Sequence, residues 1–195
     1  MRHNKSKITY KGEWLNFNKM EIRSKDNKVS TYEFITPSKK NEHGGVEIIP
    51  ILIKNGRKYL VLIKNFRYPI SRYCIEFPSG IVDPGESVKE AAFRELREET
   101  GYTADRIISV FKNVLIDPWK STEKSGLVIC YIDGDCEQNQ DPQLSLDEIE
   151  QIEVILVDWH NAYNEILKLS KEYMITATLL YFLTYKHVLE IMPKL

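Results

Sequence analysis

Gly80-Ile81-Val82-Asp83-Pro84-Gly85-Glu86-Ser87-Val88-Lys89-Glu90-Ala91-Ala92-Phe93-Arg94-Glu95-Leu96-Arg97-Glu98-Glu99-Thr100-Gly101-Tyr102 reads as a Gly/Pro turn that enters a helix and stops at a glycine. Ser87 followed by Glu90 is a capping box: the hydroxyl accepts an orphan backbone N–H, and the carboxylate reaches back to the cap. Gly101 suits the left-handed position just past a helix end. The spacing therefore predicts a helix over residues 88–100. On it Val88, Ala92 and Leu96 repeat every four residues as an apolar seam, while Glu95 and Glu99 share another face with Glu98 one step round. A Glu-rich helix carrying Arg94 and Arg97 is ordinarily a solvated, ion-paired surface. A carboxylate ridge beside a tight acidic loop also suits a hard cation such as Mg²⁺, which takes carboxylate oxygens and keeps waters and substrate phosphates.

The full spacing separates these readings. Gly80, five residues, Glu86, seven residues, Arg94-Glu95-Leu96, one residue, Glu98-Glu99, one residue, Gly101 and then the bulky Tyr102 resembles the box of the Nudix hydrolases. Tyr102 stands where an aliphatic residue is commoner. The resemblance implies the Nudix fold, an α/β (α+β) arrangement with a mixed β-sheet between helices. It also implies metal-dependent hydrolysis of a nucleoside diphosphate linked to another group.

Working outward, residues 1–44 form an N-terminal antiparallel β-layer. Residues 14–23 and 29–35 read as two strands about an Asp26-Asn27 turn, the second ended by Pro37. Two strands alone are marginal in water, so this layer must pack on the rest of the chain or on a second copy. A polar linker at 39–45 marks the boundary with a hydrolase domain over 45–195. In that domain 46–53 and 58–63 make a hairpin around Asn55-Gly56. Further strands are expected at 107–116, 127–132 and 152–157. The polar, acidic stretch 133–148 reads as a mobile loop. Helices are expected at 163–170 and 176–191, the latter with an apolar stripe of Leu179, Leu180, Leu183 and Val188. Strands, a helix, strands and then helices describe a sheet covered by helices.

Composition bounds the partners. A hydrophobic content of 43%, a charged content of 28% and a net charge of −1 fit a soluble globular chain without the basic footprint of a nucleic-acid binder. Three cysteines, Cys74, Cys130 and Cys136, leave an odd count and point to a reducing compartment. No apolar run is long enough for a signal peptide or a membrane span, so a cytoplasmic or nuclear location is expected.

Residues outside the box resemble the ADP-ribose and ADP-sugar pyrophosphatase branch: Gly12-Glu13-Trp14, the run Lys64-Asn65-Phe66-Arg67-Tyr68-Pro69, Tyr73-Cys74-Ile75-Glu76-Phe77-Pro78-Ser79-Gly80, and Pro118 downstream of the box. The resemblance implies a substrate of the nucleoside diphosphate sugar class, Mg²⁺ with Mn²⁺ as a substitute, and a homodimer in which the N-terminal layer is exchanged. Glu95, Glu99 and Glu98 are the expected metal ligands, joined by the backbone carbonyl of Ser79. Arg94, four residues before Glu98, can hold it in one rotamer. Glu86 is read as a supporting acid rather than a ligand.

The resemblance puts the general base on a loop before the last strand. Asp147, Glu148, Glu150 and Glu153 are candidates, and Glu150 matches the position best. Arg67 can clamp phosphate bidentately. Glu76 can accept from the ribose or the adenine amine, or it can pair with Arg67. Trp14 and Tyr32 are placed on the adenine, Tyr32 standing where some relatives have tryptophan. Asp117 and Pro118 are placed at the pocket for the terminal ribose. There Trp119 replaces a glycine frequent in relatives, which alters the expected shape of that pocket.

Three rival readings accompany this one: a different Nudix substrate such as a GDP-sugar or an oxidised nucleoside diphosphate, an inactive Nudix-fold binding module, and an RNA decapping enzyme. An inactive module should lack box glutamates, and all are present here. A decapping enzyme would more often carry a basic groove and extra domains.

Overall fold

Pro50 sits in the middle of a strand, where it has no N–H for a ladder, and the sheet changes partners around it. The computed structural model describes residues 6–38 and 44–191. Strand β4 (Gly45–Lys54) runs parallel to β9 (Lys124–Asp133) along one edge, from Gly45 opposite Ser125 to Ile53 opposite Asp133. Its other edge pairs with β7 (Ser79–Ile81) at residues 45–47, and with β5 (Arg57–Arg67) only at residues 51–54. Pro50 lies in the gap between these two pairings, as expected for a residue that cannot complete a central ladder. Beyond the Asn55-Gly56 turn, where both residues have positive φ, β4 and β5 therefore part. The far end of β5 pairs instead with β6 (Arg72–Glu76), and along its opposite edge with β10 (Ile152–Asp158).

The central sheet is eight-stranded and mixed, completed by β8 (Arg106–Leu115) beside β9 and by the short β11 (Met174–Ile175) beside β6. Alternation along the strands sends side chains to two cores. Val46, Ile48, Leu52 and Val61 meet Val88, Ala92 and Leu96 of α1 (Val88–Thr100) on one face. Ile49, Leu60, Leu62 and Phe77 meet Ile166 of α2 (Ala162–Leu169) and Leu179 and Leu183 of α3 (Ala177–Ile191) on the other. Each fully buried Leu, Ile or Phe contributes about 1.5–3 kcal/mol relative to exposure. The expected sheet between helices is the observed arrangement. Of the stripe expected on α3, Leu179 and Leu183 are buried and Leu180 is exposed; Val188 lies outside the described side chains. Among the described residues no helix is long and apolar enough to cross a membrane.

The N-terminal layer differs from expectation. It is a three-stranded antiparallel sheet: β1 (Lys7–Lys11), β2 (Leu15–Arg23) and β3 (Val29–Pro37). All five residues of β1 are exposed, so no burial pattern announced it. Most of the expected linker, residues 39–43, lies outside the described residues. The layer meets the central unit through β3: Ile35 N–H donates to the Lys120 carbonyl at 2.8 Å, and Thr122 N–H donates to the Ile35 carbonyl at 3.2 Å.

The stretch expected to be a mobile loop at 133–148 is instead tied down. Asn139 is buried, with Nδ2 donating to the Thr103 and Asp133 carbonyls at 3.0 and 2.8 Å and Oδ1 accepting from Thr103 N–H at 2.8 Å. One amide thus satisfies both backbone groups of Thr103, which polar composition alone does not reveal. Farther along, Ser145 N–H donates to the Glu98 carbonyl at 2.8 Å, so the loop is fastened to α1 as well. Asn139→Ala should lower the unfolding free energy by about 1–3 kcal/mol, because it orphans part-buried backbone groups of Thr103 and Asp133. Urea unfolding of the variant against wild type measures this.

Candidate active site

Where β4 and β5 part, α1 presses its carboxylate face against β7. The capping box forms as expected: Ser87 Oγ accepts from Glu90 N–H at 3.2 Å, and Glu90 Oε2 accepts from Ser87 N–H at 2.8 Å. Gly101 closes the helix in the left-handed region at φ 73°, its N–H donating to the Arg97 carbonyl. The two caps set the length and phase of the helix, and with Val88, Ala92 and Leu96 in the core, Glu95 and Glu99 face inward and are buried.

Gly80 permits that approach. A Cβ there would lie 1.9 Å from the Glu95 carboxyl carbon, so a side chain at this position would expel Glu95. Glu99 Oε2 accepts from Ser79 N–H at 2.8 Å, which pins the second carboxylate to the same short strand. Arg94 organises the outer rim. Its guanidinium donates to Glu86 at 3.0 and 2.9 Å, to Glu95 Oε1 at 2.7 Å, to Glu98 Oε2 at 3.0 Å and to the Ile81 carbonyl at 2.8 Å. The hydrogen bonds from Arg94 hold Glu86 charged, below the usual carboxylate range. In return, Glu86 and its neighbours hold Arg94 firmly protonated.

Glu95, Glu98, Glu99 and Arg94 line a cleft of about 590 Å³ together with Arg67, Ser79 and Glu150. Burial pushes the Glu99 carboxyl up to about 8, against the Ser79 N–H and with the charges of Glu95, Glu150 and Glu76 adding to the rise. Burial also raises Glu95, despite its bond to Arg94. Among the described residues no three His, Cys, Asp or Glu side chains stand together as a ready ligand cluster, and Arg94 pairs with Glu95 and Glu98. The donor set still fits a hard divalent cation: oxygen donors only, with buried like charges that one arginine does not offset.

The structure separates the loop acids. Glu150 lines the cleft and is half-buried; its N–H donates to the Asp147 carbonyl at 3.0 Å, and its Oε2 accepts from Asp147 N–H at 2.9 Å. Glu153 is turned away and paired with Lys64, and Glu148 is exposed outside the cleft lining. Glu76 takes the alternative raised for it. Its buried carboxylate receives Arg67 Nη2 at 2.7 Å and Nε at 3.2 Å, and Asn65 Nδ2 at 3.1 Å. Glu76 thus stands behind Arg67 rather than in the cleft lining. Asp147, another of the candidate bases, also lines the cleft, as do Asn65 and Tyr68, which the sequence offered only as part of the run 64–69 because a polar residue on a strand end carries no distinguishing spacing.

Four expected substrate residues are not brought to this cleft. Tyr32 and Pro118 line a separate apolar hollow of about 430 Å³ with Met20, Ile22 and Phe34, and the Tyr32 hydroxyl donates to the Trp119 carbonyl. Asp117 pairs with Lys120 at 2.6 Å. Trp14 is exposed at the start of β2. The N-terminal sheet carries these aromatics on its own framework, and β3 meets the central unit at residues 120–122 rather than over α1.

Comparison with known proteins agrees with this geometry. The sequence profile of the NUDIX domain matches residues 42–176. An ADP-ribose pyrophosphatase of Saccharomyces cerevisiae is 33% identical over 163 residues, spanning 82% of this chain and 70% of that protein. An ADP-sugar pyrophosphatase of Mus musculus is 35% identical over 147 residues, spanning 74% of this chain and 67% of that protein. The crystal structure of an ADP compounds hydrolase superposes with a TM-score of 0.63 at 24% identity, covering 84% of this chain and 80% of that one, which shows the shared fold.

The buried carboxyl at Glu99 has a consequence for stability. Its folded value of about 8 lies above the ordinary 4.5, so folding favours the protonated form. That contribution is complete below about pH 4.5 and is lost as the pH rises through about 8. In chelator-treated protein, the melting temperature should therefore fall between about pH 5.5 and 8.5, and Glu99→Gln should flatten that fall. Differential scanning calorimetry in EDTA reads both; an unchanged slope in the variant would contradict the assignment.

Proposed function

This chain belongs to the Nudix hydrolase family, and from that premise we propose that it hydrolyses ADP-ribose, or a closely related ADP-sugar, to AMP and ribose 5-phosphate. The observation that carries the reading is the buried Glu95–Glu99 face set against β7, in a cleft that also holds Arg67 and Glu150. Carboxylates and an arginine around one cleft suit a diphosphate, whose charge must be offset before water can attack it.

Each side chain has a part in this scheme. Glu95, Glu98, Glu99 and the Ser79 carbonyl would hold Mg²⁺, or Mn²⁺ in its place. When bound, the ion supplies charge neutralisation for the diphosphate and a Lewis acid for the leaving phosphate. Arg94, braced by Glu86, sets the rotamers of Glu95 and Glu98. Glu150 orients the attacking water and accepts its proton. Arg67, exposed on one side and backed by Glu76 on the other, binds phosphate.

The activity is tested by offering ADP-ribose, ADP-glucose, GDP-mannose, diadenosine polyphosphate and 8-oxo-dGDP with Mg²⁺ and identifying products by chromatography. Preference for the ADP-sugars is expected; preference for GDP-mannose or 8-oxo-dGDP would move the chain to another branch. Glu99→Gln should cut turnover about 100-fold or more while the protein stays folded, and Glu150→Gln should lower kcat with KM within about twofold. The same change at Glu148 and Glu153 should leave kcat near wild type.

The N-terminal layer, residues 1–44, is assigned to dimerisation and adenine binding. Along β2 the usual alternation is inverted: Asn16 and Asn18 are 6% and 3% exposed, while Leu15 and Phe17 are 45% and 39% exposed. Nδ2 of Asn18 is satisfied by Asn16 and Thr36, so these polar side chains are closed in, while Leu15 and Phe17, like Trp14 just before the strand, are exposed. Exposed apolar side chains clustered at one end of a sheet call for cover, and a second copy is the commonest cover for a soluble chain. Exchange of the layer would carry Trp14 to the partner's site. Cys74 and Cys130, free and buried, fit the reducing cytoplasm or nucleus. Trp14→Ala should raise KM more than it lowers kcat, since the base is remote from the reacting phosphorus. Sedimentation should report a dimer for the full chain and a monomer or aggregate after deletion of residues 1–44. A soluble, fully active monomer from the deletion would remove the layer from both roles.

A further inference from the structure

Glu150 sits on a loop that burial does not hold. The next side chain upstream, Ile149, is 72% exposed, so burial does little to fix the backbone there. Hydrogen bonds on both sides of Glu150 take that place. The Tyr68 hydroxyl donates to the Ile149 carbonyl at 3.0 Å, from the short turn that follows β5. On the other side, Gln151 donates through Nε2 to the Tyr68 hydroxyl at 3.3 Å and accepts at Oε1 from the Tyr73 hydroxyl at 3.3 Å. The Gln151 carbonyl also accepts from Phe66 N–H at 3.2 Å. The ring of Phe66 meets those of Tyr68 and Tyr73 edge-on, each at 5.2 Å between centroids. One phenol and one amide thus tie both chain neighbours of Glu150 to the far end of β5, the strand end that also carries Arg67.

We propose that Tyr68 and Gln151 are positioning residues for hydrolysis, holding the loop so that the Glu150 carboxylate is aimed into the cleft. This rests on the assignment of Glu150 as the base. The turn from Asp147 to Glu150 fixes the carboxylate relative to its own loop, through the bond from Asp147 N–H to Glu150 Oε2. The phenol–amide clamp fixes that loop relative to the strands bearing the phosphate-binding side chains. Without the clamp the carboxylate samples orientations away from the water it must orient. A small displacement of such a group weakens the transition state more than it weakens substrate binding.

The test is a double-mutant cycle on the full-length chain with Mg²⁺ and ADP-ribose, using Tyr68→Phe, Gln151→Leu, Glu150→Gln and the two paired doubles. Tyr68→Phe keeps the ring that lines the cleft and removes only the hydroxyl. Because Tyr68 is exposed, folding should be intact, and circular dichroism checks it. Tyr68→Phe and Gln151→Leu should each lower kcat about three- to tenfold with KM within about twofold. In the Glu150→Gln background neither change should lower kcat further, because the group they aim is gone. Equal losses in both backgrounds, or a loss in KM instead of kcat, would overturn the clamp. If Glu150→Gln is damaging while both clamp variants turn over like wild type, the clamp fails and the base assignment stands. If Glu150→Gln itself is silent, the base assignment fails and the clamp falls with it. A wild-type chain that turns over no nucleoside diphosphate sugar removes the proposed function and the clamp together.

Discussion

Two carboxylates on one face of α1 are pressed against the backbone of β7, where little water reaches them, and much of the site follows from that placement. Burial first, and then the neighbouring acids, drive Glu99 toward neutrality and raise Glu95. Nearby, Arg94 supplies the positive charge that lets Glu86, Glu95 and Glu98 sit close together, and the Ser79 N–H supplies one of the dipoles that favour the Glu99 anion. These contacts lessen the repulsion without removing it, which is the condition under which a hard cation gains most from binding. The glycine at 80 is part of the same constraint, since only a residue without a Cβ lets the Glu95 carboxylate lie against the strand.

That placement depends in turn on a defect in the sheet. A continuous β4–β5 ladder would leave no room for β7 or for the carboxylate face of α1. The strands pair for a few residues beside the hairpin turn and then separate at Pro50; β7 takes the place beside β4, and the cleft opens among the end of β5, β7, α1 and the 145–150 loop. The far end of β5, freed from β4, pairs with β6 and β10 and carries Arg67 to the cleft, with Glu76 at the end of β6 backing it. The base candidate arrives from the opposite direction on a loop bound to α1 through Ser145 and to the end of β5 through Tyr68 and Gln151. Polar contacts with few apolar ones make a support that is easily perturbed without unfolding the core.

The N-terminal sheet is the least self-sufficient part of the chain. Its polar residues Asn16 and Asn18 face inward while Leu15 and Phe17 face out, the reverse of a strand that packs its own core. Exposed apolar side chains at this end of the sheet are what the proposed second copy would cover, and Tyr32 and Pro118 line an apolar hollow away from the carboxylates.

The sequence by itself determined α1, both of its caps and the identity of its acids, because capping and helical periodicity are local rules acting within a few residues. It also determined the family, because the box is a spacing of residue types within one turn and one helix. It showed strands at 14–23 and 29–35, but it missed β1, whose five exposed residues have no periodic burial to betray them. Choosing between Glu148, Glu150 and Glu153 required the fold: all three are acids in one short stretch, and only packing turns one toward the cleft, leaves one in solvent and pairs the third with Lys64. Glu76 likewise had two readings until β5 and β6 paired and brought Arg67 and Asn65 onto it. The ordering of the loop around Asn139 was invisible for the same reason. A hydrogen bond between residues far apart in the chain leaves no pattern in the sequence around either partner, and it exists only once the tertiary structure has brought them together.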